Sequence, residues 1–259
     1  MAAVPMELTP GRRWALRIGV PIAIALIAYG GLQFVSLAGQ DSFRVQAVVA
    51  PEGGKVSVSV GNGNLNVMPS NDGHVHVDGV VNYSIVRPSV HWVTTPTGTV
   101  FDGPNCVWMG NCGANLDLAV PPGLAVNASS GSGNVAAQDV TGALDLYSGS
   151  GNVSLERASG ALVLGTGSGD ITGTGLSGAT VRANDGSGNI ELSFNRPPAD
   201  VKVNASSGDV RVAVPADVSY HVVASSSSGS SSVGVPTDSS SPRVIRATSG
   251  SGNVYVVPS

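Results

Sequence analysis

The sequence predicts an all-β protein: a flattened parallel β-solenoid of about 18–21 residues per coil, two strands per coil, behind one N-terminal transmembrane helix. Three observations predict it. Glycine supplies 35 of 259 residues, nearly twice the usual share of about 7 %. A pentapeptide ending in a β-branched residue recurs at a near-constant interval through the C-terminal half. An uncharged apolar run, Ile18–Leu37, precedes everything else.

The repeat reads Gly-Ser-Gly-Asn-Val at 131–135, 149–153 and 250–254, Gly-Ser-Gly-Asp-Ile at 167–171 and Gly-Ser-Gly-Asn-Ile at 186–190. Weaker copies are Ser-Ser-Gly-Asp-Val at 206–210 and Gly-Ser-Ser-Ser-Val at 229–233. Their closing residues, Val135, Val153, Ile171, Ile190, Val210, Val233 and Val254, are spaced 18, 18, 19, 20, 23 and 21 apart, the signature of a solenoid. A second turn lies half a period away, at Thr141-Gly142, Ser159-Gly160 and Ser177-Gly178, which makes each coil two strands and two turns. Alternation places Leu144, Leu146, Val153, Leu155, Leu162 and Leu164 on the inner face. Coils stacked in parallel at about 4.8 Å then form two sheets about 10 Å apart.

The corner residues Gly133, Asn134, Gly151, Asn152, Gly169, Asp170, Gly188, Asn189, Gly208, Asp209, Gly252 and Asn253 are assigned to structural turns. Glycine is expected there because so tight a turn needs positive φ. The Asn residues are expected to stack as a ladder sharing amide hydrogen bonds. The order Asn134, Asn152, Asp170, Asn189, Asp209 keeps the two acids two rungs apart, about 10 Å, close to a Debye length.

The chain divides into a short cytoplasmic tail (1–17), a transmembrane helix (18–38), a linker or first strand (39–50), an irregular N-terminal β part and cap (51–121), and the repeat solenoid (122–259). The apolar run is long enough for a helix to cross about 30 Å of hydrocarbon. Arg12, Arg13 and Arg17 before it and Asp41 after it orient the N-terminus to the cytoplasm and the C-terminal domain outside. A cleaved signal peptide competes with the anchor, since Ser36-Leu37-Ala38 offers small residues at a cleavage site. The run exceeds a signal h-region of about 7–15 residues and so favours the anchor. Arg12-Arg13-Trp14-Ala15-Leu16-Arg17 also loosely matches a twin-arginine export signal, with Ala15 where an aromatic is usual. Every alternative exports the chain. Cys106 and Cys112, the two cysteines present, form a candidate disulfide suited to the outside, closing a small loop worth about 2 kcal/mol. Two unpaired thiols beside Trp108 are the other possibility.

Chemistry is sparse. A net charge of −4 argues against nucleic acid, and no catalytic, cofactor or metal residue is assigned. His74 and His76 share a strand face, and His91 would have to join them to hold zinc. Calcium roll motifs need Gly-x-Asp at each corner, whereas here glycine directly precedes Asn. Asp170 and Asp209 stand near the upper separation for an inverting glycosidase, but corner positions make them solvated turn residues. No nucleophile elbow or phosphate loop is set between strand and helix.

The order Cys112-Gly-Ala-Asn-Leu-Asp-Leu-Ala-Val120-Pro121-Pro-Gly123, the repeated Ser-Gly-Ser-Gly-Asn-Val and Val214-Pro215 resemble the DUF4097 putative-adhesin domain family over roughly residues 50–257. The resemblance implies a bacterial cell-surface β-solenoid, often behind one membrane helix, with no catalytic residues to carry over. Some members are linked to envelope-stress signalling. Ser227–Ser232 departs from the pattern by lacking the Gly-Asn pair, which leaves that rung's turn unassigned. The expectation is a membrane-anchored, non-enzymatic surface protein contacting cell-wall polymer or an envelope protein. Ser154, Glu156, Asp145, Arg182, Glu191 and Lys202 are expected to form its face. An envelope-stress regulatory component acting through a membrane partner is the alternative, and a polysaccharide-active enzyme ranks third.

Overall fold

The computed structural model describes Ile22 and residues 40–84, 86–96, 98–103 and 112–259. The tail 1–17, the expected transmembrane segment 18–38 apart from Ile22, and Cys106 lie outside the described residues. Among the described residues no helix is long and apolar enough to cross a membrane.

The N-terminal strands are β1 (Gln40–Val49), β2 (Lys55–Asn62), β3 (Leu65–Pro69), β4 (Val75–Ser84), β5 (His91–Thr95), β6 (Gly98–Asp102) and β7 (Cys112–Val120). The regular coils comprise β8 (Ala125–Ser132), β9 (Val135–Gln138), β10 (Leu144–Ser148), β11 (Val153–Glu156), β12 (Leu162–Thr166), β13 (Ile171–Leu176), β14 (Thr180–Asp185) and β15 (Ile190–Phe194). The last are β16 (Asp200–Ser207), β17 (Val210–Val214), β18 (His221–Ser228), β19 (Ser231–Val233), β20 (Val244–Ser251) and β21 (Val254–Pro258).

They build two sheets, in the orders β1-β4-β7-β3-β9-β11-β13-β15-β17-β21-β19 and β18-β20-β16-β14-β12-β10-β8-β2-β6-β5. From β7 to β19 and from β6 to β18 every pairing is parallel. Each coil gives one strand to each sheet, because alternation along a short strand leaves one apolar face that only the opposite sheet can cover. Leu144, Leu146, Val153, Leu155, Leu162 and Leu164 are all buried in one continuous core.

The two ends differ from the sequence expectation. Residues 55–69, placed in the irregular part, form a regular rung: Leu65 pairs with Val135 and Val56 with Val126. Antiparallel pairing is confined to β1 on β4, β4 on β7 and β5 on β6, which close that end. At the other end chain order and stacking order part company. Val210 pairs with Val254, and Val254 with Ser231, so β20 and β21 slot between the β16–β17 coil and the β18–β19 coil. The serine-rich 225–232, whose turn the sequence leaves unassigned, belongs to the outermost rung of the stack.

Glycine at the corners is demanded by φ and by proximity together. Gly133, Gly169, Gly208 and Gly252 have φ of 157°, 158°, 128° and 152°, whereas Gly151 and Gly188 lie outside the positive-φ region. A Cβ on Gly151 would instead run into the carbonyl of Gly133 on the neighbouring rung. Corner backbones approach too closely for any side chain to fit between them. Two non-glycine residues adopt left-handed φ with no sequence signal: Asp139 (57°) and Arg157 (51°) stand one coil apart, each directly after a strand of the first sheet. Arg157 offsets that strain by donating from Nε to Asp139 Oδ1 at 2.6 Å and from an Nη to Oδ2 at 2.9 Å.

Candidate functional site

Polar chemistry is organised in columns that run along the stacking axis, one residue per rung. The corner column starts at Asn115, whose Oδ1 accepts the backbone N–H of Asn64 at 3.0 Å. Asn64 Oδ1 then accepts from Asn134 N, Asn134 from Asn152 and Asn152 from Asp170, each at 2.9 Å. The relay continues from Asp170 to Asn189 N (2.8 Å), from Asn189 to Asp209 N (3.0 Å), from Asp209 to Asn253 N (2.7 Å) and from Asn253 to Ser230 N (3.1 Å). Side-chain oxygen to backbone N–H, rather than amide to amide, is the repeating bond. Only an acceptor is used, which is why Asn and Asp alternate freely. Ser230, at the end of the column, donates its backbone N–H to Asn253 and has no rung beyond it to serve. The two carboxylates Asp170 and Asp209 are thus engaged in holding backbone.

A second column lies just inside. Ser130, Ser148, Thr166, Ser249 and Ser226 are aligned on successive rungs, apart from Asp185 and Ala205 between Thr166 and Ser249. Each hydroxyl donates to a corner carbonyl of the adjacent rung: Ser130 to Gly63 (2.7 Å), Ser148 to Gly133 (2.7 Å), Thr166 to Gly151 (2.9 Å), Ser249 to Gly208 (2.8 Å) and Ser226 to Gly252 (2.6 Å). Asp185 occupies a donor's position with an acceptor. Its Oδ1 takes the N–H of Ser187 at 3.1 Å, while Oδ2 is buried without a hydrogen-bond partner. Burial first, and then the nearby Asp170 carboxylate, push the Asp185 carboxyl above the usual carboxylate range. This column was legible in principle, since its members directly precede Gly-Ser-Gly in four copies.

The outer surfaces are two, not one. Ser154, Glu156 and Glu191 project from the β11–β15 sheet, whereas Asp145, Arg182 and Lys202 project from the opposite β10–β16 sheet, so the expected single face is split. On the first sheet Glu191 and Arg211 are direct partners at 3.6 Å and cancel. On the second, Asp145, Val163, Arg182, Lys202 and Arg246 follow one another rung by rung. Beside that row run Tyr147, Gly165, Asn184, Asn204 and Thr248. Asn204 Nδ2 donates to Asn184 Oδ1 at 2.9 Å and Thr248 Oγ1 to Asn204 Oδ1 at 2.8 Å. Gly165 leaves room for the Tyr147 ring, 50 % exposed, to lean over it. A groove of about 390 Å³ follows, lined by Tyr147, Val163, Gly165, Asn184 and Ser206.

The remaining candidates stand apart. His76 Nε2 lies 2.7 Å from Asp72 Oδ2, and that hydrogen bond is the main cause lowering the Asp72 carboxyl below its ordinary value. His91 opens β5 in the other sheet, away from this pair. Cys112 is disulfide-bonded, and Cys106, its expected partner, lies outside the described residues.

Parallel two-sheet coils and a continuous corner relay define a β-solenoid. Residues 114–257, more than half of the chain, match the Toastrack DUF4097 family, and the chain belongs to it. No curated protein matches the chain. Among solved structures it is similar to a putative cell adhesion protein from Clostridium sporogenes, at 12 % identity and TM-score 0.40, over 85 % of this chain and 100 % of that one. A putative adhesin from Parabacteroides merdae aligns at 13 % identity and TM-score 0.42, over 85 % and 96 % respectively.

Proposed function

We propose that this protein is a non-enzymatic, adhesin-like component of the cell envelope, anchored through its N-terminal apolar segment with the solenoid outside, and that it contacts cell-wall polymer. One observation carries the reading: the solenoid commits its corner carboxylates and inner hydroxyls to its own backbone, and leaves two flat outer faces of polar side chains at a fixed rung spacing. A rigid face with regularly spaced groups suits a repetitive polymer, where many weak contacts add through multivalency. Sedimentation of the full chain, in detergent micelles, with isolated cell walls tests this. Saturable binding is expected. Absence of binding at both low and high salt overturns it.

A further inference from the structure

Resting on that reading, we propose that the β10–β20 face binds a linear acidic polysaccharide along the solenoid axis. Its carboxylates would lie on Arg182, Lys202 and Arg246, and its sugar rings on the Tyr147–Asn184–Asn204–Thr248 row.

The cations are the first reason. In a chain of net charge −4, three positive side chains stand directly opposite one another on three consecutive strands. Like charges so paired are destabilising. On the opposite sheet, by contrast, Glu191 faces Arg211. Here one carboxylate, Asp200, reaches Arg182 at 3.8 Å and Arg246 at 3.7 Å, both too long for hydrogen bonds. Among the described residues, Lys202 between them has no carboxylate within ion-pair distance. Arg182 and Arg246, two rungs apart, are separated by about 10 Å, about one Debye length, so the three act on a ligand as one field. A fold that holds cations in this row at a cost in stability presents them to an anion outside it.

The neighbouring row supplies the second reason and chooses the class of anion. Tyr147 offers a half-exposed ring whose polar tip suits an amphipathic sugar face. Asn184, Asn204 and Thr248 already hold one another in place, so their remaining donor and acceptor positions meet hydroxyl groups without further ordering. The groove between Tyr147 and Asn184 runs along the same axis as the cation row. A polyphosphate would use the cations and ignore this row, whereas a uronic-acid polymer uses both.

The test takes polygalacturonate as probe, with polyphosphate as charge without sugar and dextran as sugar without charge, against the full chain in detergent micelles. Polygalacturonate is expected to bind saturably and at least about tenfold tighter than either control, losing affinity as salt rises. Arg182→Ala/Lys202→Ala/Arg246→Ala should abolish binding while its thermal melt is unchanged or higher. Tyr147→Ala should weaken it about fivefold with the same salt slope. Polyphosphate or DNA binding as well as polygalacturonate overturns the proposal, as does a triple variant that binds normally. Wall sedimentation run alongside keeps the two readings apart. A triple variant that still sediments with walls overturns this face and leaves wall contact standing, whereas a wild-type chain that fails to sediment overturns wall contact itself.

Discussion

Two polar columns run side by side along the stack, and they obey opposite rules. The corner column needs acceptors: Asn152 and Asp170 do the same work because each lends one Oδ1 to the next backbone N–H. The inner column needs donors: Ser148 and Thr166 each give a hydroxyl hydrogen to a corner carbonyl. An aspartate is therefore well suited to position 170 and misplaced at position 185, where Oδ2 stands buried without a hydrogen-bond partner. The lesson is that a residue's fitness in a solenoid depends on which side of the rung-to-rung hydrogen bond its position occupies, more than on its polarity.

The sharpest way to break both columns at once is Gly151→Ala. The new Cβ would meet the Gly133 carbonyl and lie 3.0 Å from Ser148 Oγ, so the rungs must separate. A loss of about 3 kcal/mol is expected, read from the chemical denaturation midpoint. Ser148→Ala should follow at about 2 kcal/mol, because it leaves the Gly133 carbonyl without its partner in a buried setting.

Asp185→Asn moves in the other direction. A carboxyl whose pKa is raised by folding holds its proton more tightly in the folded state, so its contribution is complete below the ordinary carboxylate value and is lost as pH rises through the elevated one. The wild type should thus lose stability relative to the variant as pH climbs from about 3.8 toward neutrality. At pH 7 the amide, with a donor to offer the Gly169 carbonyl, should be about 1 kcal/mol more stable, a rise of roughly 2–4 °C in melting temperature. Asn152→Asp should have the smallest effect. It preserves the acceptor but sets a carboxylate one rung from Asp170, so a loss of about 0.5 kcal/mol that recovers in high salt is expected.

Much of the fold was written in local pattern. The alternation in Val153-Ser154-Leu155 and Leu162-Val163-Leu164 places the core because a β-strand has only two faces, and both triplets bury their aliphatic ends. Adjacency in sequence is not adjacency in space in this stack. Asn64 carries the same Gly-Asn signal as Asn134, yet 70 residues separate them, and only the returning chain makes them neighbours. Position 253 bonds with position 209, past the whole β18–β19 coil. Asn253 serves rungs on both sides, donating its backbone N–H to Asp209 and accepting that of Ser230, and Ser230 ends the column. The candidate face failed for a related reason. Alternation says which residues point outward from a strand and is silent about which of two sheets that strand joins.

The sequence by itself determined the strand length, the inward residues, the glycine corners and the period, because each of these follows from the stereochemistry of a few neighbouring residues. Tertiary structure alone decided the order of the rungs, the division of charged residues between two faces and the different duties of Asp170 and Asp185. Those depend on which backbone groups are brought within about 3 Å of a side chain by parts of the chain up to 70 residues away, and hydrogen-bond distance is a property of the assembled stack.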